Sequence, residues 1–154
     1  MARRALSSAG RGSSPVRACA SSISVHRVAS RFHSDGSLRA PSGPLSHDHP
    51  HPRNYGAFTR FLRMALDGET VPLPEAIRKM TSLPAEHFRL RERGLLRPGA
   101  FADIAVFDAG RILEKSSYAR PHQLSEGLQN LFVNGQAIIS DGHLQSARPG
   151  RVLD

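Results

Sequence analysis

The sequence predicts an α+β chain in which helices precede strands, and three observations carry that prediction. Apolar residues recur every three or four positions between Phe58 and Phe88, the period of a helix. After Ala102 they gather in short runs separated by Asn134-Gly135 and Asp141-Gly142, the chemistry of tight hairpin turns. Ahead of both, residues 1–33 hold six arginines and no carboxylate, with too few large apolar groups to offset the entropy of ordering.

Taken in order, that first segment is an Arg/Ser-rich arm carrying most of the net charge of +8. Its composition fits an organellar transit peptide, a disordered tail, or translated sequence ahead of a truncated gene after a frameshift. Residues 34–54 read as a long loop, because four prolines and two glycines interrupt any regular element. A helix follows, with Phe58, Phe61, Leu62, Ala65 and Leu66 on one stripe and Gly68 at its end. A second starts around Pro74, with Leu73, Ala76, Ile77 and Met80 expected on its buried side. A third, short helix is expected from Ser82 as cap to Phe88.

Pro98-Gly99 then suits a type II turn that feeds a strand from Ala102 to Phe107. Alternation would put Ile104, Val106 and Asp108 on one side of it and Ala105 and Phe107 on the other, so both faces call for cover. Leu128–Val133 and Gln136–Ser140 form a hairpin across Asn134-Gly135, and Asp141-Gly142 turns the chain into His143–Gln145. Residues 114–127 are irregular, and Pro149-Gly150 marks a last turn before Arg151-Val152-Leu153.

Composition excludes several classes of function. Outside the arm, acidic and basic side chains nearly balance, and no basic patch interleaved with stacking aromatics points to nucleic acid. No apolar run reaches the ~20 residues that span a bilayer, so no membrane role and a cytoplasmic location are expected. Cys19 is the one cysteine, which rules out an internal disulfide and a cysteine metal cage.

Several motifs occur in a fixed order. They are Ser34-Asp35-Gly36, then His51-Pro52-Arg53-Asn54-Tyr55-Gly56-Ala57-Phe58, then Ala76 to Ala85 (Ala-Ile-Arg-Lys-Met-Thr-Ser-Leu-Pro-Ala). Arg93-Gly94 through Asp108 follows, with its Pro-Gly-x-x-Ala-Asp strand, and then Val133-Asn134-Gly135 and Pro149 to Leu153. In this order they resemble the C-terminal end of the N-acyl-D-amino-acid deacylases, D-aminoacylase-like members of the metal-dependent amidohydrolase superfamily. The Pro-Gly-x-x-Ala-Asp strand points to the superfamily. The Ser-Asp-Gly and His-Pro-Arg-x-Tyr-Gly pair points to the deacylase branch.

The resemblance implies an α+β fragment: the last helices of a (β/α)8 barrel (34–100, with the active-site loop) and the C-terminal half of a small β-sandwich (101–154), behind the 1–33 arm. It implies a zinc-dependent hydrolase of the linear amide bond in N-acyl-D-amino acids. Asp35 inherits the family aspartate that stands beside zinc and takes a proton from the attacking water, so it is the expected catalytic residue and metal ligand. Arg53, on a loop near that site, is the expected substrate-binding residue, since a guanidinium holds a carboxylate bidentately, although loop arginines also pair structurally.

His47, His49 and His51 are spaced to chelate a metal, yet the family zinc is held by a His-x-His pair, a cysteine and two further histidines of earlier strands. The cluster is therefore expected to be structural or adventitious. Asp103 is expected to hydrogen-bond within the sandwich. The zinc donors of the earlier strands are not present, Cys19 lies outside their context, and residues 24–33 make a poor version of the apolar strand that precedes Ser-Asp-Gly. The expectation is a remnant that is inactive alone and holds no zinc by itself. The alternative is a non-catalytic complementing or regulatory partner, which would dock on an amidohydrolase barrel chain.

Overall fold

The computed structural model describes residues 31–40 and 42–153. Cys19 and the arm up to residue 30 lie outside the described residues. The α+β expectation holds: helices α1 (Arg53–Leu66), α2 (Leu73–Met80) and α3 (Ser82–His87) precede strands β1 (Ile104–Phe107), β2 (Leu128–Val133), β3 (Gln136–Ser140) and β4 (His143–Leu144). The strands form one antiparallel sheet in the order β1-β2-β3-β4, with tight turns joining β2 to β3 and β3 to β4 and the long 108–127 segment joining β1 to β2.

The helical half is built around Phe61, Ala65, Val71 and Ala76, with Phe32 and Met80 packed against them. Phe32 stacks on Phe61 with centroids 4.2 Å apart and meets Phe58 edge-on at 5.3 Å. Its backbone N–H also donates to the carbonyl of Lys79 at 3.1 Å. The segment leading to Asp35 is thus fixed by one ring and one backbone bond.

Several local expectations are corrected. Helix α1 begins at Arg53, inside the segment read as loop, because Pro52 at φ −52° already has helical geometry and occupies the N-cap position. That loop also contains a one-turn 3-10 helix at Pro44–Ser46. Thr81, and not Ser82, holds the cap position of α3, and its hydroxyl donates back to the carbonyl of Ile77 at 2.7 Å. Phe58 and Ile77, expected on buried faces, are 45% and 36% exposed. Residues 149–153 adopt neither turn nor strand.

The turns follow the chemistry read from the sequence. The Ala100 N–H donates to the Arg97 carbonyl at 3.2 Å, and Gly99 takes the positive φ that a type II turn needs. Asn134-Gly135 and Asp141-Gly142 each place two residues at positive φ, as a type I′ hairpin requires. In β1 the register shifts between Val106 and Phe107, and this irregularity breaks the expected alternation. Ile104 and Phe107 are half-buried while Ala105 and Val106 face out. No residue of the four strands is fully buried by the described residues, so the cover that β1 calls for is not supplied from within them.

Candidate functional site

Ser34, Asp35 and Gly36 lie against the first turn of α1. Asp35 sits in the left-handed region at φ 49°, a conformation that a short polar side chain tolerates. Gly36 donates its N–H to the Ser34 hydroxyl at 3.3 Å. A methyl group at Gly36 would come within 2.7 Å of Asn54 Oδ1, so a larger residue there would have to displace the Asn54 side chain. Asn54 in turn donates its side-chain amide to the Ser37 carbonyl at 3.4 Å.

These contacts bring together the two site residues expected from the sequence. A guanidinium nitrogen of Arg53 lies 3.2 Å from Asp35 Oδ2, with the side chains 44% and 72% exposed. An ion pair so open to water contributes about 0–1 kcal/mol, so it sets the two groups side by side without adding much stability. One group accepts protons, and the other presents a fork of donors that matches a carboxylate.

His49 and His51 of the histidine cluster are used structurally. His51 Nδ1 accepts the backbone N–H of Arg53 at 3.1 Å, while His51 Nε2 and the Tyr118 hydroxyl are 2.9 Å apart. His49 Nε2 lies 2.6 Å from the Tyr118 carbonyl, and Asp48 pairs with Arg39 at 2.7 Å. Among the described residues no group of three or more histidine, cysteine, aspartate or glutamate side chains is arranged to hold a metal ion. Zinc takes about four ligands, and Asp35 offers one, so the donors described here do not fit zinc.

The segment after β1 wraps the same end of α1. Ser125 donates to the Tyr55 carbonyl at 3.3 Å, its hydroxyl lies 2.6 Å from that of Thr59, and Arg60 pairs with Glu114 at 3.5 Å. Gly56 packs so closely on Glu114 that an added Cβ would meet its Cβ at 3.1 Å. Asn54 and Tyr118 were not singled out as site residues by the sequence. Asn54 stood as the variable position of a motif, and Tyr118 lies in an irregular stretch with no periodic signal.

The sequence profile of the amidohydrolase family matches residues 26–136, and the chain belongs to that family. Within it the chain is 43% identical to the N-acyl-D-glutamate deacylase of Alcaligenes xylosoxydans xylosoxydans over 106 residues, which are 68% of this chain and 22% of the relative. Among solved structures it superposes on D-aminoacylase with a TM-score of 0.71 at 36% identity, covering 80% of this chain and 25% of that one. It also superposes on the N-acyl-D-glutamate deacylase of Bordetella bronchiseptica, complexed with zinc and a phosphonate inhibitor that mimics the reaction's tetrahedral intermediate. There the TM-score is 0.65 at 37% identity, covering 80% of this chain and 24% of that one. The chain spans about a quarter of the length of the relatives it matches.

Proposed function

We propose that this chain supplies the C-terminal quarter of an N-acyl-D-amino-acid deacylase: residues 34–100 complete the barrel's active-site edge and residues 101–154 form half of the small sandwich. The observation that carries the reading is the meeting of Asp35 and Arg53 at 3.2 Å, on motifs whose order matches the deacylases. In this reading Asp35 accepts the proton of the water that attacks the amide carbonyl, and Arg53 holds the carboxylate of the N-acyl-D-amino acid. Zinc belongs to the complete enzyme, and no step is assigned to it on this chain, whose described donors do not fit it. The isolated chain is proposed to be inactive.

Two assays test the reading. The purified chain is expected to release no amino acid from N-acetyl-D-glutamate or N-acetyl-D-methionine above blank, and turnover would overturn its assigned incompleteness. Residues 34–154 joined to the N-terminal three quarters of the Alcaligenes N-acyl-D-glutamate deacylase are expected to restore metal-dependent hydrolysis. Asp35→Asn in that chimera should lower the rate by about a hundredfold or more. A soluble chimera that is inactive, or one indifferent to Asp35→Asn, would overturn the assignment.

A further inference from the structure

Arg53 is held at Asp35 by more than its own side chain. Its backbone N–H is among the first of α1, a position with no acceptor inside the helix. Pro52, at the N-cap position, provides no side-chain cap bond, and the first turn contains no acidic residue. The acceptor is instead the ring of His51, whose Nδ1 takes the Arg53 N–H at 3.1 Å. An imidazole that accepts at Nδ1 carries its proton on Nε2 when neutral, and His51 Nε2 is 2.9 Å from the hydroxyl of Tyr118, on the segment that wraps α1. The two rings also meet edge-on, with centroids 5.0 Å apart at 76°. His49, two residues earlier, lies 2.6 Å from the carbonyl of the same tyrosine, so the wrapping segment is gripped at both its backbone and its side chain.

We propose that His51 is a positioning residue: by accepting the Arg53 N–H at one nitrogen and holding Tyr118 at the other, it locks the first turn of α1 to the 114–127 segment and keeps the Arg53 guanidinium at Asp35. Its meaning for catalysis rests on the deacylase reading, whereas the tether itself is a property of this chain. Among the groups facing His51 are Arg53 from α1 and Tyr118 from the wrapping segment, with His49 beside it on Tyr118. Nothing in the tether requires a metal.

The test is a set of ¹H–¹⁵N spectra of the full 154-residue chain at a pH where free imidazole is neutral, reading the Arg53 backbone amide and its side-chain Nε–Hε signal. Asp35→Asn supplies the signal position of an Arg53 released from its carboxylate. His51→Ala is expected to raise exchange at the Arg53 amide about tenfold, the loss of one hydrogen bond, and to move Nε–Hε to the position seen in Asp35→Asn. His51→Asn, whose Oδ1 stands near the place of Nδ1, is expected to keep both readings close to the parent. Tyr118→Phe removes one exposed hydroxyl and should displace Nε–Hε part of the way.

An Nε–Hε signal unmoved in His51→Ala, even with faster amide exchange, would reduce His51 to a helix cap and overturn the proposal. Should His51→Ala fail to fold, Tyr118→Phe decides, since an unmoved Arg53 signal there breaks the proposed tether. None of these readings depends on turnover. A displaced Arg53 signal alongside an inactive chimera would keep the tether and remove its catalytic meaning.

Discussion

Asp103 Oδ1 accepts the backbone N–H of Asn134 at 2.8 Å, so the aspartate of the Pro-Gly-x-x-Ala-Asp strand reaches across to cap the Asn-Gly hairpin turn. Its other oxygen pairs with Arg93, whose guanidinium also donates to Asn134 Oδ1 at 2.5 Å and whose side chain is 9% exposed. Arg93 and Arg151 each lie 4.3 Å from the centre of the Phe101 ring, and Asn134 donates to the Pro149 carbonyl at 2.7 Å. Asp103 thereby ties the start of β1 to the β2–β3 turn, and Asn134 and Phe101 extend the network to the C-terminal stretch.

Asp103→Ala is expected to lower stability by about 2 kcal/mol, because it leaves the shielded Arg93 guanidinium and the Asn134 N–H without that acceptor. Urea unfolding followed by circular dichroism checks it, and Asp103→Asn should recover part of the loss through its remaining acceptor.

Gly127→Ala is expected to cost about 2 kcal/mol or more. Gly127 has φ +85°, and an added Cβ would come within 2.5–2.6 Å of the backbone of Arg111 and Ile112. The damage should centre on the Leu113–Glu126 bridge, read as faster amide exchange at Leu113 and Glu126.

Phe61→Ala should lower stability by about 3 kcal/mol, since Phe61 is 3% exposed and carries the stacked ring of Phe32. Phe58→Ala, at a ring 45% exposed, should cost clearly less in the same denaturation series.

Acid is expected to weaken the α2 region through Glu75. The hydrogen bond from Arg78 is the largest influence holding its carboxyl below the usual carboxylate range; burial opposes it, and the charges of Arg78 and Lys79 add to it. A carboxyl depressed in the folded chain contributes stability that is complete above its unfolded value, about 4.3, and lost as pH falls through the folded one. Glu75→Gln should therefore flatten the acid limb of stability against pH below about 4.3, measured by denaturant midpoints from pH 7 to 3.

Local chemistry was legible wherever a residue's own backbone preference decided the outcome. Asn134-Gly135, Asp141-Gly142 and Pro98-Gly99 were placed correctly because positive φ and a fixed proline φ are properties of those residues. Helix existence followed from apolar spacing, but burial did not. Phe58 and Ile77 carry the right period, and packing by the described residues leaves both partly in solvent. The start of α1 was missed because prolines and histidines read as loop, while the contact that supports Arg53 comes from the His51 ring.

The site was half legible. The motifs named Asp35 and Arg53, and the amidohydrolase family, to which the deacylases they point to belong, is the one the chain belongs to. Their separation, and the roles of Asn54, His51 and Tyr118, depend on pairs as far as 67 residues apart in the chain, which no local pattern encodes.

By itself the sequence determined the order of helices and strands, the turn types and the family, since these rest on side-chain period, backbone preference and motif order. Tertiary structure alone decided that Asp35 meets Arg53 and that the histidine loop serves as a brace. Those outcomes depend on which distant groups are brought within hydrogen-bonding reach, and that is settled only when Phe32 docks on Phe61 and the 114–127 segment closes over α1.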